Sequence, residues 1–214
     1  MEKLLRAAAW IAILLGLLVA GARYTVLRWW QVPLDDRYLD ASIRPTLRAG
    51  DWVLLWRLTT PGFGDLVLCP DPDDPSQVVI GRIAGFERDE VRIDGDDVYL
   101  NNKRMAGGDS CPDREFSTPD PRSGDLVDQH CTLQRMGGVQ HAVGQVPDSH
   151  REALKSNHVV PQGQVFLVSD NRLFPFDSRH FGSVPRQSCK ETLFFRLVSK
   201  DGFFDVKNRL SLIR

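Results

Sequence analysis

The sequence predicts a mainly β domain of antiparallel sheet, preceded by one N-terminal transmembrane helix. Three observations predict it: an uncharged apolar run from Ala7 to Ala22 between Arg6 and Arg23, a series of short β-branched and aromatic runs punctuated by Gly, Pro and Asp, and no sustained helical periodicity beyond the first run. A chain of 214 residues with 42% hydrophobic content can bury a core of one or two compact units. Its 27 basic and 28 acidic residues are interspersed, leaving no basic stripe that would point to nucleic acid as a partner.

The first run, AAAWIAILLGLLVAGA, gains Leu4 and Leu5 if Lys3 and Arg6 snorkel. That brings it near the roughly 20 apolar residues that cross a ~30 Å hydrocarbon core. Tyr24, Trp29 and Trp30 are then expected at the far interface, as aromatic belts are. Residues 1–23 are assigned to this anchor. The rival reading is a cleaved secretory signal, with Lys3 and Arg6 as its basic start and Ala20-Gly21-Ala22 as the cleavage site. Flanking charge does not orient the helix, because Lys3 and Arg6 face Arg23 and Arg28.

After the anchor, strands are expected in the runs that begin at Asp51, Asp65, Val78, Glu90, Val98, Gln164 and Glu191. Asp94-Gly95, between the runs ending at Ile93 and starting at Val98, is a hairpin signal. The β core is expected over 24–104 and 162–214. Between them, 105–161 is rich in Gly, Asp, Pro, Ser and His, and reads as a loop-rich insertion. Four cysteines allow three pairings in an oxidising space, and Cys111 with Cys131, in the same stretch, is the expected pair. The five histidines and the cysteines show no metal-ligand spacing, so no metal and no cofactor is expected.

Three segments carry a resemblance. Ser42-Ile43-Arg44-Pro45-Thr46-Leu47, followed by Gly50-Asp51, is similar to S-M-x-P-T-L then G-D. Gly64-Asp65-Leu66-Val67, followed by Val79-Ile80-Gly81-Arg82-Ile83-Ala84-Gly85, is similar to G-D-[IV]-V then Y-[IV]-K-R-V-x-G. Ser169-Asp170-Asn171-Arg172 through Pro175, Asp177-Ser178-Arg179 and Gly182 is similar to G-D-N-R-x-x-S-x-D-S-R-x-x-G. In this order and spacing they resemble the bacterial type I signal peptidase family of Ser-Lys membrane peptidases. The resemblance implies a signal-peptidase-like β domain with Ser42 at the nucleophile position and Gly81 at that of the lysine base. It also implies a supporting network of Arg82, Asp170, Asn171, Arg172, Asp177 and Arg179, with Pro45 and Asp51 as further structural positions. Signal peptides or preproteins, membrane lipid and the protein-export machinery are the implied partners. The implied location is the bacterial cytoplasmic (inner) membrane, single-pass, with the bulk of the chain outside the cytoplasm.

The departures from the pattern decide the expected chemistry. A serine hydroxyl needs a neighbouring base, which in Ser-Lys enzymes is a desolvated neutral amine. Gly81 supplies none, and Arg82 stays protonated at any working pH. The family's inner serine, which holds that amine, is Pro175 here. Asp40, two residues before Ser42, stands where many Gram-negative members carry an oxyanion donor. At 4 Å and an effective dielectric of ~20 its carboxylate would repel an oxyanion by about 4 kcal/mol. Lys103, Lys155, Lys190 and Lys200 read as solvated charge, and His180 is the candidate substitute base. Two readings follow: a homologue that is catalytically impaired or inactive yet still holds signal-peptide segments, and an active serine endopeptidase using Ser42 with a substitute base. A self-cleaving repressor on the related fold is disfavoured by the anchor and by the lack of a DNA-binding module.

Overall fold

The computed structural model describes residues 2–145 and 155–213. The apolar N-terminal segment forms one helix, α1 (Glu2–Thr25), whose Leu5, Trp10, Leu14 and Leu18 are exposed. Among the described residues no helix is long and apolar enough to cross a membrane. The helix therefore does not by itself establish the transmembrane span expected over 1–23. Tyr24, expected at the far interface, has a side chain outside the described residues. Trp29 and Trp30 lie in a strand, β1 (Leu27–Gln31), where Trp30 packs against the core and Trp29 is exposed.

The main sheet joins β1 to β2 (Trp52–Trp56), β14 (Glu191–Val198), β3 (Leu66–Pro70), β4 (Val78–Phe86), β12 (Gln164–Val168) and β13 (Val184–Pro185) in that order, with β15 (Ser211–Leu212) on β14. Every pair is antiparallel. A four-stranded sheet runs β11 (Lys155–Val159), β5 (Glu90–Asp94), β6 (Asp97–Leu100) and β7 (Lys103–Arg104). Asp94 pairs with Asp97 across Gly95, which has φ +61°, so the expected hairpin is present, with a two-residue loop.

Strand β4 organises the core because it is buried on both faces. Side chains alternate across a strand. Ile80 joins a cluster with Leu39, Ile43, Leu55 and Leu66, while Val79 and Ile83 join the opposite one with Val67, Leu167 and Val184. Each such fully buried aliphatic side chain contributes about 1.5–3 kcal/mol.

The 105–161 stretch departs from the loop-rich expectation. It holds β8 (Gly107–Pro119), β9 (Leu126–Met136) and β10 (Val139–Gln145) in a three-stranded antiparallel sheet, besides β11. Backbone pairing and the Cys111–Cys131 disulfide hold this sheet with little apolar surface, which is why apolar runs did not announce it. The expected cysteine pair is present, and Cys69 pairs with Cys189. The β9–β10 turn docks on the core by close backbone approach. A Cβ on Gly64 (φ +86°) would lie 2.6 Å from the Met136 carbonyl oxygen, and one on Gly137 (φ +58°) would strike that of Phe63.

Candidate functional site

Ser42 ends a short helix, α2 (Arg37–Ser42), capped by the Asp36 side chain accepting from the Leu39 amide at 2.9 Å. The helix lays Leu39 into the core and touches β4. Ser42 is fully buried: its Oγ donates to the Leu39 carbonyl at 2.9 Å and its own carbonyl accepts from the Asn171 amide at 2.9 Å. The hydroxyl is thus spent on its own helix. Asp40, two residues earlier, accepts from the Ala49 amide at 2.7 Å and pairs with Arg44 at 2.8 Å. It braces the loop through Pro45.

Gly81 lies on β4 between Val79 and Ile83. A Cβ added there would sit 3.0 Å from the Leu167 Cβ and 3.5 Å from the Val168 backbone nitrogen. A side chain at position 81 would therefore press on Leu167. Arg82 points the other way and meets Asp170 through Nε–Oδ1 at 2.7 Å and Nη2–Oδ2 at 3.0 Å, with Nη1 on the Gly64 carbonyl at 3.1 Å. Burial pushes Asp170 up, but Arg82, His141 and hydrogen bonds from Arg82 and Thr46 outweigh it and hold its pKa below the usual carboxylate value. Asp177 caps α3 (Ser178–Phe181) and takes bonds from the Ser169 amide at 2.6 Å and Arg179 Nη2 at 2.7 Å. Burial opposes its charge, yet Arg179 and these bonds hold it at about 2.

The expected network is brought together only in part. Arg82–Asp170 and Arg179–Asp177 form two buried ion pairs. Arg172 instead donates to Gln134 Oε1 at 2.5 Å and is lowered to about 10, first by burial and then by Arg179. The Asn171 side chain exchanges bonds with Gln129 and accepts from the Leu173 and Phe174 amides, tying the loop to β9. Asp51 sits in a second cluster: it accepts from the Arg48 and Lys200 amides and pairs with Arg196 at 3.2 Å. Burial raises Asp51 despite Arg196. Arg196 also donates to the Thr46 carbonyl, and Thr46 Oγ1 donates to Asp170 at 2.5 Å, so the two clusters are linked. Arg196, Gln129, Gln134 and His141 were not singled out as site residues from the sequence, and Thr46 entered only as part of the first motif. His141 is buried with Nε2 3.9 Å from Asp170, and its pKa is pushed down to about 3, first by burial and then by Arg82.

The sequence model of the family described as signal peptidase, peptidase S26, matches residues 5–198. The chain belongs to this family. It is 27% identical over 155 residues to signal peptidase I V of Bacillus subtilis, covering 71% of this chain and 77% of that one. It is 28% identical over 183 residues to signal peptidase I of Aquifex aeolicus, covering 72% of each. Against signal peptidase I of Pseudomonas fluorescens it is 26% identical over 159 residues, which span 66% of this chain and about half, 53%, of the relative.

In this member of the peptidase S26 family, Lys3, Lys103, Lys155, Lys190, Lys200 and Lys207 are all the lysines, and every one is exposed. His180 is exposed on α3, and it lines a cavity of about 430 Å³ with Tyr38, Phe174, Pro175 and Phe176. Ser42 does not line that cavity, and no hydrogen bond joins the two residues among the described contacts.

Proposed function

We propose that the chain is a membrane-anchored signal peptidase I family protein that holds signal-peptide segments of exported preproteins on the outer face of the cytoplasmic membrane and does not cleave them at an appreciable rate. One observation supports the reading: every lysine of the chain is exposed, and position 81 carries no side chain. Ser42 therefore has no desolvated amine to take its proton, and losing a member of such a unit removes orders of magnitude of rate.

The same reading assigns Ser42, Gly81 and Pro175 to the positions of nucleophile, missing base and missing amine holder. It treats the Arg82–Asp170 and Arg179–Asp177 pairs as kept for the fold. An anchor over 1–23 is supported by the helical α1 with its exposed apolar side chains, and two disulfides suit an oxidising space. Partnership with the export machinery, or with an active peptidase, follows from binding without turnover. The alternative, an active endopeptidase with His180 as base, requires that exposed imidazole to reach a buried hydroxyl.

Titrating a fluorescent signal peptide into the full chain in detergent tests this. The expected result is saturable binding with the same Kd in Ser42→Ala. Absence of binding overturns the proposal.

A further inference from the structure

A cavity of about 770 Å³ lies away from Ser42, between the loop after β2, the turn at 162–164 and the segment from Pro185 to Lys190. Arg57, Arg186 and Lys190 line it together with Thr59, Gln162 and Gln187, and no carboxylate does. Two carboxylates stand close by. Glu191 accepts from Arg57 Nε at 2.6 Å and from Arg28 at 3.0 Å, and Glu87 accepts from the Gly163 amide at 2.9 Å. Four cations, counting Arg28, thus face two anions. The Arg186 guanidinium rests over the Phe86 ring at 4.7 Å, which positions it without neutralising it.

The position of the cavity narrows what it takes. The Arg57 amide donates to the Val26 carbonyl at 3.1 Å, directly after α1 ends at Thr25, and Trp56 pairs with Leu27. The cationic wall therefore begins where the chain leaves the apolar helix, and Leu58 beside it is exposed. Guanidinium and ammonium groups recognise phosphate, while hydroxyl and amide groups suit the hydroxyls of a glycerol headgroup. The volume falls in the range of small-ligand sites.

We infer that this cavity binds the phosphate-bearing headgroup of an anionic phospholipid at the membrane surface. The inference rests on reading α1 as the membrane anchor. Bound lipid fixes the height of the β domain over the bilayer, independently of the Ser42 region.

The test uses the full chain in a neutral detergent, melted with increasing phosphatidylglycerol, phosphatidylcholine or inorganic phosphate. Phosphatidylglycerol alone is expected to raise Tm saturably. The apparent affinity should fall at least tenfold in Arg186→Gln/Lys190→Gln and stay unchanged in Lys103→Gln. Lys190→Gln, at an exposed site, is measured alone if the double variant does not fold, and should weaken binding several-fold. No rise with phosphatidylglycerol, or an equal rise with phosphatidylcholine, overturns the inference. An equal rise with inorganic phosphate overturns the lipid assignment in favour of free phosphate. Flotation with pure phosphatidylcholine vesicles tests the anchor separately: a chain that floats but shows no headgroup selectivity keeps its anchor and loses this site.

Discussion

Arg82 and Asp170, 88 residues apart in sequence, meet in a buried pair through two bonds of 2.7 and 3.0 Å. The pair joins β4 to the loop that follows β12, and Thr46 adds a third bond to the same carboxylate. Removing one partner leaves a buried charge alone. Arg82→Met is expected to cost about 3–5 kcal/mol in denaturant unfolding, and Arg82→Met/Asp170→Leu to recover much of it. Additive losses in the double variant would contradict the pairing.

His141 gives the fold an acid sensitivity with a definite sign. Burial first, then Arg82 and Arg172, against the pull of Asp170, hold it near 3 in the folded chain, whereas an exposed histidine titrates near 6.5. Between these values the unfolded chain binds the extra proton, so stability falls as pH falls from about 6.5 towards 3. The slope from this group is at most about 1.4 kcal/mol per pH unit. Urea unfolding from pH 7 to 4 is expected to show a shallower pH dependence in His141→Gln than in the unmodified chain.

Gly81→Ala tests how tightly Leu167 packs against position 81, where we propose that the base is missing. With the new Cβ 3.0 Å from that of Leu167, the core is overpacked and a loss of about 1–3 kcal/mol is expected. Leu167→Ala should relieve part of that loss when the two are combined. For the same reason Gly81→Lys alone is not expected to restore a working base, since Pro175 also lacks the hydroxyl that would hold the amine.

Gly64→Ala probes the docking of the β8–β10 sheet on the core. At φ +86° and with 2.6 Å to the Met136 carbonyl, an added methyl forces the β9–β10 turn away. Hydrogen exchange of the amides in β9 and β10 is expected to rise well before that in β4, and uniform protection would argue against the contact.

What was legible in the sequence follows from how each element is stabilised. The strands at Trp52, Leu66, Val78, Glu90, Asp97, Gln164 and Glu191 are dense in apolar and β-branched residues, so composition marks them. Strand β8 is built mainly from polar residues, β9 mixes polar and apolar ones, and both are held by pairing and a disulfide, a signal that periodicity does not contain. Helix α2 is six residues long, and only the Asp36 cap hints at it. Ser42, Arg82 and Asp170 were readable through their motifs. The partners that lock the site, His141, Gln129 and Gln134, come from the polar sheet and have no local pattern to betray their burial. Asp40 shows the remaining limit, since one-dimensional spacing did not reveal its bonds to Arg44 and to the Ala49 amide.

We propose that the family fold persists here without the reaction. The most direct measurement is cleavage of a signal-peptide-bearing preprotein by the purified, detergent-solubilised full chain beside its Ser42→Ala variant. Identical background rates in the two are the predicted result, and turnover by the unmodified chain that vanishes in Ser42→Ala would contradict it.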